Sequence, residues 1–285
     1  MKFFKTLLLP LLTMTAMIIS SCSDDEPKSN TQAMSIQSSL NYISVYDLQT
    51  KEQNIFSGAN FLVVVNLDNR TFQLTVNDLQ YLTDQRAISF TLPEMKMNIT
   101  QSGWQIRHDD KMHLETSNTA ITVSNYAVDF ALRADGSQNL VSIKFTIDNR
   151  YEITTFFTHS QYLGTTKSTD ITNPETEPFS TNASGYLVIL DDKTKTVEVQ
   201  IASPKFLDKM PSNLGIMVFS NIPVTYTKDG YSFKIDKLTP KIGEDPYPAF
   251  EITSLEGKVV AGKTLNLDFD CLRFNRTVTF EGTIY

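Results

Sequence analysis

Phe61-Leu62-Val63-Val64-Val65-Asn66-Leu67-Asp68-Asn69-Arg70-Thr71-Phe72-Gln73-Leu74-Thr75-Val76 is the stretch that decides the fold. From Thr71 onward apolar and polar residues alternate one by one. On an extended chain this puts Phe72, Leu74 and Val76 on one face and Thr71, Gln73 and Thr75 on the other. The apolar run before it ends at Asp68-Asn69, residues that tolerate turn conformations and hydrogen-bond their own backbone. The stretch predicts two antiparallel strands joined by a tight turn. The same alternation returns at Val141-Ser142-Ile143-Lys144-Phe145-Thr146-Ile147 and at Thr277-Val278-Thr279-Phe280-Glu281. Ser102-Gly103, Asp135-Gly136 and Asp229-Gly230 punctuate the chain with further turns. Helical periodicity is confined to residues 77–83 and 204–209, each a single turn long. Closely spaced strands with tight turns form hairpins and meanders, so the expected class is all-β and mainly antiparallel.

The deciding stretch has a counterpart. Tyr186-Leu187-Val188-Ile189-Leu190-Asp191-Asp192-Lys193-Thr194-Lys195-Thr196-Val197-Glu198-Val199-Gln200-Ile201 matches it in apolar or polar class at every position except Leu67 against Asp192. The offset, 125 residues, also aligns Tyr81-Leu82 with Phe206-Leu207. At 127 residues it aligns Gly103-Trp104 with Gly230-Tyr231. Two tandem β domains of one ancestry are expected, over residues 37–159 and 185–285. Residues 160–184 are rich in Thr, Ser and Asn and lack apolar alternation, which predicts a linker or crossover.

The N-terminus has a different logic. Lys2 and Lys5 precede an uncharged run over residues 7–19, too short for a membrane span but suited to a secretory signal. The run closes on Ile19-Ser20-Ser21-Cys22, which resembles the lipobox of bacterial lipoproteins. That resemblance implies a signal peptide over residues 1–21, cleavage before Cys22, and diacylglyceryl and acyl chains, palmitate among them, on Cys22. Ser23-Asp24-Asp25-Glu26-Pro27 then resembles the acidic export signal of surface lipoproteins of Bacteroidetes-type bacteria, with the outer membrane as destination. Residues 22–36 are expected to be the acylated cysteine and a polar tether. Two or three acyl chains hold a protein to a membrane with no transmembrane helix.

Further along, Phe219-Ser220-Asn221-Ile222-Pro223-Val224-Thr225, Asp229-Gly230-Tyr231-Ser232-Phe233, Phe250-Glu251-Ile252 and Val278-Thr279-Phe280-Glu281-Gly282 resemble the calycin-like, or lipocalin-like, β domains of Bacteroidetes lipoproteins. The resemblance covers residues 184–285 and, more faintly, 38–158. It implies meandering barrels or curved sheets and brings no catalytic residues with it.

Composition narrows the function classes. Without residues 1–21 the net charge moves from −7 to −9, against nucleic acid as a partner. With Cys22 acylated, the other cysteine, Cys271, has no intramolecular mate, and it lies in a strand-like alternation with Leu265, Leu267 and Phe269, where a cysteine packs as a small hydrophobe. Arg107-His108-Asp109-Asp110-Lys111-Met112-His113-Leu114-Glu115 is the densest polar cluster. His108 and His113 would ligate a divalent metal if they met across a hairpin; an exposed charged turn is the other reading. Adjacent acids at Asp191-Asp192 and Glu244-Asp245 sit in loops and point apart, unlike a catalytic pair held across a cleft. No nucleophile elbow, phosphate loop, dinucleotide fingerprint or zinc-protease motif occurs, and no cofactor is expected. Trp104 and Tyr231, at equivalent places after a turn, are ligand-binding candidates or simply core aromatics. The expected function is a non-enzymatic, lipid-anchored binding or accessory lipoprotein. Its ligand would be a small apolar molecule inside a barrel or a glycan on an aromatic patch. A fimbrial or adhesion subunit, with an unidentified protein partner, is the structural alternative. A metal-dependent enzyme built on residues 107–115 is the third reading.

Overall fold

A computed structural model describes residues 30–285, except 102, 133–137, 209 and 211–213. The expected signal peptide, over residues 1–21, and Cys22 lie outside the described residues. The first lobe holds β1 (Thr31–Ile36), β2 (Asn41–Asp47), β3 (Gln53–Ser57), β4 (Asn60–Asn66), β5 (Thr71–Leu79), β6 (Ile88–Thr91), β7 (Met95–Lys96), β8 (Asn98–Thr100), β9 (Gly103–His108), β10 (Met112–Glu115), β11 (Ala120–Leu132), β12 (Gln138–Ile147) and β13 (Tyr151–Phe157). The second holds β14 (His159–Asp170), β15 (Phe179–Asp191), β16 (Thr196–Ala202), β17 (Ile216–Thr227), β18 (Gly230–Ile235), β19 (Lys241–Ile242), β20 (Asp245–Pro246), β21 (Ser254–Val260), β22 (Thr264–Cys271) and β23 (Arg276–Ile284). The described strands pair antiparallel, and the protein is all-β with two tandem meandering lobes.

The deciding stretch forms the β4–β5 hairpin with Phe72, Leu74 and Val76 fully buried, and its counterpart forms β15–β16. In the second lobe hydrogen bonding runs β16-β15-β14-β23-β22-β21-β18-β17, and β17 pairs back onto β16. That ladder closes an eight-stranded up-and-down barrel and removes its sheet edges. The first lobe follows the same circuit in broken strands. β1 and β2 stand where β14 stands, β3 and β4 where β15 stands, and β6, β7 and β8 where β17 stands: β4 pairs β1 while β3 pairs β2, and β6 and β7 pair β5 while β8 pairs β9. The breaks divide the lobe into one five-stranded and one eight-stranded sheet. One break is the 3-10 turn Ser38–Leu40. Beside it the buried Asn41 side chain stands in for strand pairing, donating Nδ2 to Ala59 O (2.9 Å) and accepting at Oδ1 from Ala59 N (3.1 Å).

Each lobe has its own apolar core, from Ile36 to Ile153 and from Phe156 to Phe280. Gly103 and Gly230 occupy matching positions: a Cβ on Gly103 would run into the carbonyl oxygen of Phe130, and one on Gly230 into that of Val259. The two lobes thus share one close backbone approach where the alignment of Gly103-Trp104 with Gly230-Tyr231 places it.

Several expectations need correction. Residues 160–184 are not a linker, because most of them build β14 and β15. The reason is visible along β14, whose inward positions include Ser160, Thr166 and Ser168 beside Tyr162, all buried. Its alternation is one of burial without alternation of polarity. Thr166 Oγ1 meets the buried Tyr186 hydroxyl at 3.1 Å, while Ser168 Oγ is buried with no hydrogen-bond partner among the described residues. The end of the expected tether, residues 31–36, is β1, in register with β4. Residues 77–79 continue β5, and residues 204–208 carry no helix. The short 3-10 helices are Ser38–Leu40, Pro248–Phe250 and Leu272–Phe274.

The lobes meet through specific contacts. β13 passes into β14 with Thr158 between them. Thr158 donates its amide to Leu40 O in the first lobe (3.0 Å), and its carbonyl accepts from Leu190 N in the second (2.7 Å). Asp129, 6% exposed, bridges Arg107 of its own lobe and Lys263 of the other (2.8 Å), and accepts from Ser142 Oγ (3.0 Å). Burial pushes the Asp129 carboxyl up, but hydrogen bonds from Lys263 and Arg107 outweigh it and leave the group below its ordinary range. Phe156 packs its ring against Tyr226 and Tyr231, and Gln53 Nε2 donates to Thr227 O (2.9 Å).

Candidate functional site: a polar cleft in the first lobe

An eight-stranded barrel is just wide enough to be filled by side chains or to hold one small ligand. Here aromatic side chains pack into both interiors. In the second lobe Tyr186 stacks on Phe280 at 3.8 Å, and Phe269 contacts Phe206 (5.4 Å) and Phe219 (5.5 Å). In the first, Phe72 meets Phe130 (6.0 Å) and Phe90 meets Phe145 (5.9 Å), all buried. Aromatic side chains therefore take up much of both interiors.

A cleft of about 200 Å³ opens instead at the mouth of the first lobe, lined by Val45, Asp47, Thr50, Glu52, Asn54, Phe56, Tyr81, Leu82, Thr83, Arg150 and Tyr151. Three segments shape it. The β2–β3 hairpin supplies Asp47 to Phe56. Asp47 Oδ1 caps its turn, accepting from Gln49 N (2.8 Å) and Thr50 N (3.3 Å). The β12–β13 turn supplies Arg150 and Tyr151. Asp148 and Asn149 both have left-handed φ (52° and 54°), as a tight two-residue hairpin turn requires. That turn brings Arg150 back toward Asp47, and Nε (3.0 Å) and Nη2 (2.7 Å) both donate to Asp47 Oδ2. The segment after β5 supplies Tyr81, whose ring meets the edge of Tyr151 at 5.7 Å.

The electrostatics follow from these contacts. The Arg150 hydrogen bond, helped by the turn amides, holds the Asp47 carboxyl down at about 2. The Arg150 guanidinium also lies 4.8 Å from the Tyr151 ring centre, a cation–π geometry. Burial, with Asp148 and Tyr151 nearby, pushes the Tyr81 hydroxyl up, so it stays a donor. The lining thus combines donors (Arg150, Asn54, the Tyr81 and threonine hydroxyls) with acceptors (Glu52, Asn54) beside tyrosine rings. Such a mixture suits a small, many-hydroxyl ligand.

The residues singled out in the sequence lie elsewhere. Trp104 is partly buried against Phe130 (5.8 Å) in the first core. Tyr231 is 2% exposed, packed by Phe156, Tyr226 and Phe233 at the junction of the lobes. The two share a turn position but no site, and both act as packing aromatics. His108 ends β9 and His113 lies on β10; both strands line the same edge of β11, opposite Tyr126 and Thr122. His113 Nδ1 is 3.1 Å from Thr122 Oγ1. Among the described residues no three His, Cys, Asp or Glu side chains converge as a metal-binding group, so the cluster stands as an exposed charged edge. Arg107, the first residue of that cluster, serves the Asp129 junction. Cys271 is 1% exposed in the second core, as its alternation implies. The cleft itself has no motif: Asp47 and Arg150 are 103 residues apart, and neither stands in an unusual run. The hairpin turn residues Asp148-Asn149 were its one available signal.

Neither a protein-family model nor a curated protein sequence matches the chain. Among solved structures it is similar to transferrin binding protein B from serogroup B Neisseria meningitidis at 9% identity and a TM-score of 0.26, over 80% of this chain and 66% of that one. The chain spans about two thirds of that protein's length. A double-mutant transferrin binding protein B from Haemophilus parasuis Hp5 matches at 5% identity and a TM-score of 0.25, over 88% of this chain and 77% of that one. Likeness at this level carries no argument about ligand or partner.

Proposed function

We propose that the protein is a non-enzymatic binding lipoprotein, anchored to the outer membrane by lipid on Cys22, that holds a glycan at the Asp47/Arg150 cleft. The observation that supports the glycan is the cleft's lining, where hydrogen-bond donors and acceptors stand beside tyrosines. The lipobox-like Ile19-Ser20-Ser21-Cys22 supports the anchor. The test is a printed array of neutral, amino and acidic glycans probed with the full chain in detergent. Retention of a glycan class, lost in Asn54→Ala, is the expected result. A full-chain preparation that retains no glycan but lowers the fluorescence of a buried apolar probe would reverse the assignment.

A second reading draws on one observation. β1 is the last strand of its sheet, paired with β4 alone among the described strands. A structural subunit would use such an edge to take up a strand from a neighbour. Concentration-dependent filaments in sedimentation would favour it; a monomer at all concentrations would exclude it.

A further inference from the structure

The first-lobe cleft has an occupied counterpart in the second lobe. Asp47 and Asp170 are equivalent: each ends the strand paired with the last strand of its lobe, Asp47 opposite Tyr151 and Asp170 opposite Arg276. Each caps its own turn through Oδ1, Asp170 accepting from Thr172 N (2.9 Å) and Asn173 N (3.1 Å). Each takes a side-chain donor from the residue before that last strand, Arg150 for Asp47 and Asn275 for Asp170 (2.8 Å). Tyr81 likewise corresponds to Phe206, at the 125-residue offset already seen in the sequence.

At this mouth the second lobe is plugged. The connection from β18 to β21 folds over it and inserts Phe250, 2% exposed, between Phe206 (6.2 Å) and Phe274 (4.5 Å). Tyr247 stacks behind Phe250 at 5.1 Å. The equivalent connection of the first lobe, from β9 to β11, pairs along β11 as β10 and leaves its mouth open. The walls have changed to match. In place of Phe206 and Phe274 the first lobe has Tyr81, which lines the cleft, and Asn149, which does not, with Arg150 and Tyr151 in place of Asn275 and Arg276.

We infer that the first-lobe cleft takes one sugar ring at the end of a glycan chain, a neutral or amino sugar, seated where Phe250 sits in the second lobe. This rests on the glycan reading and specifies it. The ring size comes from the counterpart, because a pyranose and a phenyl ring fill similar slots. The single ring comes from the volume, about 200 Å³, below the roughly 300–1,000 Å³ of pockets that hold larger ligands. The polar character comes from the lining, where Tyr81 stands in place of Phe206 and Arg150 in place of Asn275, beside Glu52 and Asn54. The charge preference comes from the local balance. Asp47 and Arg150 neutralise one another, which leaves the Glu52 carboxylate on the lining and Asp148 beside Tyr81, so an acidic sugar would be repelled.

Saturation-transfer NMR on the full chain in detergent tests this, with laminarihexaose, a chitosan hexamer, hexagalacturonate and a synthetic peptide of residues 246–251 as probes. The expected result is saturation confined to one terminal ring of the neutral or amino oligosaccharide, weakened about fivefold to tenfold in Glu52→Gln and Asn54→Ala, as loss of one hydrogen bond would do. Equal saturation of hexagalacturonate, or even saturation along a chain, overturns the inference and leaves the glycan reading standing. Saturation of the peptide in place of every sugar overturns both and makes the cleft a socket for an aromatic side chain. The absence of any sugar signal, with the array also blank, likewise overturns both.

Discussion

Asp47 ties its own turn to the turn that carries Arg150, and its titration can be followed. Its carboxyl is lowered from 3.8 to about 2 by Arg150, so the folded protein binds a proton there less readily than the unfolded chain does. The stabilisation is fully present above the unfolded value and is lost as pH falls through about 2. The carboxyl carbon resonance of Asp47 is therefore expected to titrate near 2 in the native protein and higher, toward the ordinary carboxylate range, in Arg150→Ala, and a midpoint unchanged by that substitution would show that the pair is not the cause. Gly103 and Gly230 make a second pair of single-residue tests. Alanine at either meets a backbone carbonyl that has to move, which should cost about 1–3 kcal/mol. At roughly 2–4 °C per kcal/mol for a chain of this size, each variant should melt several degrees lower. Cys22→Ala is the test of the anchor. It should abolish labelling by radioactive palmitate and release the protein from the membrane fraction; persistent labelling would refute acylation at that residue.

Strands that run unbroken in the second lobe are broken in the first. Asn41 holds one break, and its three hydrogen bonds to Gln37 O, Ala59 O and Ala59 N are made in a site sealed from water. Asn41→Leu leaves those backbone groups without partners and should cost about 1–3 kcal/mol, read from a denaturant midpoint. The sequence shows hairpins wherever polarity follows burial, as in residues 61–76. It hides β14, because Ser160, Thr166 and Ser168 point inward and polarity no longer reports the inner face. β1 was hidden for a similar reason, since most of its side chains are exposed or half-buried and nothing separates it from a tether. The cleft was hidden by distance. Asp47 and Arg150 become neighbours only after β2 pairs β13, and no local pattern announces a contact of that span.

The two barrels behave as one body because their junction is built from paired groups on both sides. Asp129 is the centre of it, with an arginine from one lobe and a lysine from the other. Asp129→Asn keeps the shape and removes the charge, leaving both cations poorly matched. Calorimetry should then resolve two melting transitions, one per lobe, where the wild type gives a single one; a single shared transition in the variant would show that the apolar contacts of Phe156 suffice. The joint itself has a mechanical consequence. Thr158 gives its amide to one barrel and its carbonyl to the other, so no slack chain lies between them. A pull on a captured ligand is then carried as shear along β-ladders from strand to strand, and the protein answers load as a stiff strut rather than as two beads on a string.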